Sequence, residues 1–328
     1  MRRSVCAGVV ALIVLAAVPA NAQFNGANLL GDTGVGSGTQ PPPGWNLGAL
    51  YYRYATDTIL KADGSRIVID PSQPGSTTMQ AVTPMLVFTS RAKILGADYG
   101  IMLAPSFANG ALEVPVLDFQ QPVGTGAGDL YFLPIVLGWH TKGADFKTAF
   151  GFFAPTGRYT AGANDNLGKG MWCWELSAGT TVFLDSAKAW SVATSAFWET
   201  HSNKSMQLTV KDRVVPFNVK VGQILSLEGG LGRSFLKGAA SVGVAYYAQW
   251  KLTQDQLNTA IPLPLDTPLS KHRVYGVGPD ITLPIATKKT LISLVNVRYF
   301  WETGARVKTQ GQSLVITAMF PVPSVKIQ

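Results

Sequence analysis

From residue 46 onward the chain is built of segments of roughly ten residues in which apolar and small polar side chains alternate. In residues 172–184, Trp172, Trp174, Leu176, Ala178, Thr180, Val182 and Leu184 share one parity. Cys173, Glu175, Ser177, Gly179, Thr181 and Phe183 share the other. Successive side chains of a strand point to opposite faces, so this stretch has one greasy face and one small, polar face. Residues 188–200 repeat the design, with Trp190, Val192, Thr194, Ala196 and Trp198 on one parity. Tryptophans bracketing an apolar stripe mark a wall that meets lipid on one side and a polar lumen on the other.

Composition supports a membrane wall made of strands. Hydrophobic residues are 47% of the 328, and charged residues only 14%, against about a quarter in an ordinary soluble domain. Beyond the N-terminus no uninterrupted apolar run reaches membrane-helix length. Only helices and closed barrels satisfy every backbone polar group in lipid, which leaves the barrel.

Residues 1–22 read as a secretory signal peptide. Arg2 and Arg3 precede an apolar core over 9–18, and Ala20-Asn21-Ala22 offers a cleavage site before Gln23. Cys6 lies ahead of that core, so the pattern is not that of a lipoprotein. Its removal leaves 25 basic against 19 acidic residues, a balance of +6, and Cys173 as the one mature cysteine. A disulfide-stapled fold is excluded. Residues 23–46, rich in Gly and carrying Pro41-Pro42-Pro43, form an N-terminal periplasmic arm or lumen plug.

Residues 47–328 are expected to form the barrel. Candidate strands fall at 47–58, 79–90, 97–106, 129–140, 145–155, 170–184, 188–200, 222–235, 239–251, 272–285, 290–302 and 312–321. Gaps at 91–96, 141–144, 185–187, 236–238 and 286–289 are short, and those between them are long. Short periplasmic turns and long outer loops give a transmembrane barrel this asymmetry. The fold class is therefore all-β, an antiparallel up-and-down barrel of about twelve strands. Pro84, Pro134, Pro279 and Pro284 interrupt strands and call for bulges or kinks. Segment 129–140 is apolar on both parities, which leaves its register open.

Taken inward, the polar parity supplies a pore lining: the bases Arg53, Arg91, Lys147, Lys251 and Arg298, and the acids Glu175, Glu199, Glu228, Asp280 and Glu302. Asp57, Asp98 and Asp129 belong to the same polar set. Arg or Lys facing lipid at mid-depth would cost about 2–4 kcal/mol, hence the inward assignment. Most of the acids are expected to sit in a bonded network, because charges near low-dielectric protein need partners. Unpaired bases would line the pore and tilt it mildly toward anions.

Enzymatic signatures are lacking. His140, His201 and His272 are far apart in sequence and fit no metal spacing, and Cys173 has Glu175 but no imidazole at short range. The glycines of 124–128 open no helix and match no phosphate loop. No catalytic residue, cofactor, metal or nucleic-acid partner is expected.

Leu29-Leu30-Gly31-Asp32 and Gly36-Ser37-Gly38-Thr39-Gln40-Pro41-Pro42-Pro43-Gly44 resemble the N-terminal signature of the outer-membrane family labelled "meta-pathway of phenol degradation". Gly128-Asp129-Leu130, Phe153-Ala154-Pro155-Thr156-Gly157, Trp174-Glu175-Leu176 and the end over 315–321 extend the resemblance across nearly the whole mature chain. It implies a monomeric, channel-like barrel of about twelve strands associated with uptake of aromatic or other small hydrophobic molecules. One departure is that eight residues follow Phe320, where such barrels commonly end on an aromatic.

The expectation is thus a passive outer-membrane diffusion channel for small molecules, aromatic or hydrophobic compounds or small anions, set among outer-membrane lipid and lipopolysaccharide. Lateral release through a wall kinked at Pro84 and Pro134 is a second route. The rival readings are an outer-membrane barrel with an enzymatic role, or a structural or adhesive one without permeation.

Overall fold

The structure is a computed structural model that describes residues 24–326 except 69, 74, 211–212, 259–270, 288–289 and 323–324. The signal-peptide reading of 1–22 lies outside the described residues. Twelve strands close into a barrel: β1 Gly44–Thr56, β2 Ser76–Ile94, β3 Ala97–Ala104, β4 Leu130–His140, β5 Ala144–Ala154 and β6 Cys173–Phe183 form one half. β7 Trp190–His201, β8 Ile224–Phe235, β9 Ala240–Lys251, β10 Arg273–Ala286, β11 Thr290–Arg306 and β12 Gln312–Val322 form the other. Each pairs antiparallel with its neighbours in sequence. β1 pairs both with β2, from Gly44↔Thr89 to Thr56↔Thr77, and with β12, from Trp45↔Val322 to Ala55↔Gln312, so the sheet has no edge.

Turn chemistry fixes the short end. Between Ile94 and Ala97, Leu95 (φ 52°) and Gly96 (φ 78°) make a two-residue hairpin in which both residues have positive φ, the type I′ geometry that matches strand twist. The long connections carry their own strands. Hairpin Phe107–Val114/Phe119–Ala127 prolongs the wall, its first strand taking over the pairing of β2. At the same outer end, Asn203–Val210, Arg213–Lys220 and Gln256–Asn258 make a separate three-stranded sheet.

Burial is inverted relative to a soluble protein. Leu176 and Leu184 are 52% and 58% exposed, whereas Cys173 and Glu175 beside them are 1% exposed. Outward aromatics gather at the two ends: Trp45, Trp190, Phe235 and Phe320 near the short turns, Trp174 and Trp301 near the long loops. These are the interfacial girdles of a lipid-facing wall. Phe320, opposite Leu47, thus occupies the periplasmic girdle although the chain continues beyond it.

The prolines bend or interrupt the ladder as expected. Leu86 pairs with Leu103 and Val82 with Phe107, which brings Pro84 opposite Pro105, and neither has an N–H to give. Pro134 lies within bulges on both sides of β4. The extra residue shifts parity there, so that Leu133 and Val136, three apart, are both buried while Ile135 is exposed. That shift explains why 129–140 is apolar on both parities. Pro284 adjoins a bulge at Ile285/Ala286, and Pro279 keeps register with Val244.

Candidate functional site

The inner face of the wall is buried because residues 24–43 run against it, from the outer loops down to the periplasmic end. Thr39 Oγ1 donates to Asp145 Oδ2 (3.0 Å), and the Gly38 amide donates to Thr181 Oγ1 (3.1 Å). Higher up, the Val35 amide donates to Asp280 Oδ2 at 2.9 Å. Glu228 accepts from the Thr33 amide (3.2 Å), the Thr33 hydroxyl (3.0 Å) and Asn28 Nδ2 (3.5 Å). Glu199 accepts from the amides of Ala27 (2.7 Å) and Asn28 (3.3 Å). Three carboxylates from β7, β8 and β10 therefore satisfy backbone N–H groups of a segment with no secondary structure of its own. Buried amides need such partners.

Small residues allow the close approach. A Cβ on Gly38 would lie 2.2–2.5 Å from the backbone of Thr180, and one on Gly34 would lie 2.1 Å from Asp280 Oδ2. The Gln40 amide rests on Gly100 and Gly138, where a Cβ would come within 2.5 and 2.0 Å of it. At the far end Phe24 packs with Met171, Phe217, Val219, Val221 and Ile224, and Lys204 Nζ stands 5.3 Å from the centre of its ring.

The remaining inward charges are also engaged. Glu302 accepts from Tyr54 (2.7 Å), Tyr247 (2.9 Å) and the Gly311 amide (2.7 Å), and Glu175 accepts from Tyr131 (2.5 Å). Lys251 pairs with Asp255 at 2.9 Å. Arg298 donates to Asn296 and Thr317, and with Lys147 it acts electrostatically on Asp32 of the arm. Two expected lining residues face elsewhere. Arg53 shares the outward parity of Leu47 and Tyr51 and is exposed near the outer end of β1, where a long side chain reaches the headgroup region. Arg91 is exposed at the periplasmic rim, in the register shift between Thr89 and Lys93. Asp57 sits in an outer loop with Arg66, and Asp98 at the periplasmic end with Lys93.

The sequence profile described as "Putative MetA-pathway of phenol degradation" matches residues 56–318. The chain belongs to this family. The resembling motifs meet in space: Asp129 Oδ1 accepts the Gly157 amide at 3.0 Å, and Asp129 Oδ2 the Lys169 amide at 2.8 Å. This pins two outer loops together at the rim. In Trp174-Glu175-Leu176, the flanking residues face lipid and Glu175 faces the lumen.

No curated protein matches the chain in sequence. In structure, this family member is similar to an outer-membrane channel of Pseudomonas putida F1, with a TM-score of 0.71 and 13% identity over 88% of this chain and 99% of that one. The β domain of the Bordetella autotransporter BrkA follows at 0.49 and 14%, covering 85% and 100%. The translocator domain of the autotransporter NalP of Neisseria meningitidis scores 0.45 at 9%, covering 86% and 89%. The architecture shared with the Pseudomonas channel is the outer-membrane barrel, and a closed wall with a lipid-facing belt places this family member in the bacterial outer membrane.

Two placements were not legible from spacing. Asp145 and Thr181 hold the arm because strand register delivers them to it. Cys173 does have an imidazole beside it: register sets it opposite His201.

Proposed function

We propose that this protein is a passive, monomeric outer-membrane channel for small molecules, aromatic or hydrophobic compounds foremost. The single observation that carries the reading is a closed twelve-strand wall, apolar outside and polar inside, whose interior is occupied by an arm held by hydrogen bonds to wall carboxylates and by the packing of Phe24 at its outer end. Twelve strands leave more room than the eight of a side-chain-filled barrel, and here that room goes to a displaceable segment rather than to a fixed core. The arm is the constriction. Solutes move from the outer loops past Glu302, Arg298 and Lys147 to the periplasm, without cofactor or catalysis. Small anions remain candidates through the basic balance of the mature chain, and lipopolysaccharide is the expected neighbour of outward Arg53. The family description supports an aromatic solute class.

Reconstitution tests this. Full-length mature protein in planar bilayers and liposomes should conduct ions and admit small phenolic solutes, and removal of residues 24–43 should raise both. Absence of conductance and swelling in both forms would overturn it.

Pro84 opposite Pro105 favours a second exit, sideways through the wall, for the most hydrophobic solutes. At that level the ladder between β2 and its neighbour has no donor on either side to close it.

A further inference from the structure

On their lumen faces β6 carries Cys173-x-Glu175 and β7 carries Glu199-x-His201. Antiparallel register places Cys173 opposite His201 and Glu175 opposite Glu199, so two strands display a two-by-two grid of side chains. All four are at most 1% exposed. Cys173 Sγ lies 3.2 Å from Glu199 Oε2, and His201 Nε2 lies 3.6 Å from the same oxygen. One ligand atom from each of these three residues falls within 4.8 Å of the others.

A purely structural network would give His201 hydrogen bonds. Instead, both ring nitrogens are buried and neither has a hydrogen-bond partner among the described residues, Nε2 having only the Glu199 carboxylate at ion-pair distance. Leaving a buried polar group unsatisfied costs about 1–3 kcal/mol, and this ring is aimed at a carboxylate and a thiol. We propose that Cys173, Glu199 and His201 form a binding site for a borderline-soft divalent cation, with zinc the best match. Zn–S, Zn–N and Zn–O bonds of about 2.3, 2.0–2.1 and 2.0–2.2 Å at tetrahedral angles hold ligand atoms about 3.3–3.8 Å apart. The two measured separations require shifts of no more than a few tenths of an ångström to meet this. Thiolate with imidazole excludes the hard, all-oxygen preference of Mg²⁺ or Ca²⁺. Three protein ligands leave a fourth position for water.

Binding replaces the thiol proton: the sulfur–hydrogen bond breaks, a sulfur–metal bond forms, and one proton leaves to solvent with no change of oxidation state. Lys169 acts electrostatically on both Cys173 and Glu199. Glu199 also accepts the Ala27 and Asn28 amides of the arm. The ion and the arm therefore share one carboxylate, and occupancy of the site is coupled to how the arm is seated.

The experiment uses tag-free, metal-stripped mature protein in detergent, titrated with Zn²⁺ by calorimetry and with Co²⁺ by absorbance. The expected result is one ion per chain and a thiolate-to-cobalt charge-transfer band. Because Cys173 is the one cysteine beyond residue 22, that band on the unmutated protein identifies the ligand whether or not a variant folds. Cys173→Ser should abolish the band and weaken zinc binding at least tenfold, and His201→Gln should weaken it at least tenfold. His272→Gln, at a histidine that bonds Gln249 instead, should change neither. Heat-modifiable migration on gels verifies that each variant is folded. Failure to bind one ion per chain, absence of the band, or zinc binding unaltered in folded Cys173→Ser would overturn the proposal.

Discussion

Glu228 holds Thr33 by two hydrogen bonds, one from its amide at 3.2 Å and one from its hydroxyl at 3.0 Å, across 195 positions of sequence. With Glu199 and Asp280 it forms a line of buried carboxylates that grips an otherwise unstructured segment from the wall. Hydrogen bonds to a charged acceptor contribute about 1.5–3 kcal/mol each, so the grip is firm but reversible. The triple variant Glu199→Ala/Glu228→Ala/Asp280→Ala should conduct severalfold more than the parent, approaching the channel that lacks residues 24–43. Glu228→Ala alone should give a smaller rise. Single-channel recording checks this; conductance unchanged in the triple variant would mean that the arm does not constrict the pore.

Pro84 and Pro105 interrupt the wall at one level. Replacing both by alanine restores two N–H donors, which should tighten the wall and raise the thermal midpoint by a few degrees. Uptake of hydrophobic solute into liposomes should fall severalfold while ionic conductance stays the same. A parallel fall in both quantities would argue against a separate lateral exit.

Val244 is 53% exposed on the outward face of β9, which spans Ala240–Lys251, and it lies inside the strand away from both ends. Val244→Arg should destabilise the folded barrel by about 2–4 kcal/mol in lipid vesicles, the mid-depth value for a cation in hydrocarbon. Reversible denaturant unfolding measures it. A loss below about 0.5 kcal/mol, typical of an innocuous surface change, would place Val244 outside the hydrocarbon belt.

Burial pushes the Lys204 ammonium, in the outer sheet beside Phe24, down to about 7, with the neighbouring Lys169 charge acting in the same direction. An unfolded lysine titrates near 10.4. Between the two values the unfolded chain binds the proton and the folded chain does not, so stability rises with pH across that window. Below about 7 the penalty for charging Lys204 in the folded state is fully present. The thermal midpoint should therefore rise by several degrees from pH 6 to pH 9, and Lys204→Met should remove most of the rise. An equal rise in the variant would locate the titrating group elsewhere.

The alternating pattern of residues 172–184 and 188–200, together with the short and long gaps, was enough to determine strand number, hand-over between the two ends and which face meets lipid. Those are local properties, set by a two-residue side-chain period and by loop length. Which charged side chains point inward was legible where strand parity holds, as for Glu228, Asp280 and Arg298. Arg53 and Arg91 were misplaced inward because position near a strand end, where a long side chain can reach headgroups or a bulge can turn it, is not encoded in the alternation. Only the tertiary structure decided that the inward carboxylates meet backbone amides of residues 27–35. Only it set His201 beside Cys173. Both relations depend on cross-strand register and on where the arm runs, contacts between residues up to 245 positions apart that no local period contains.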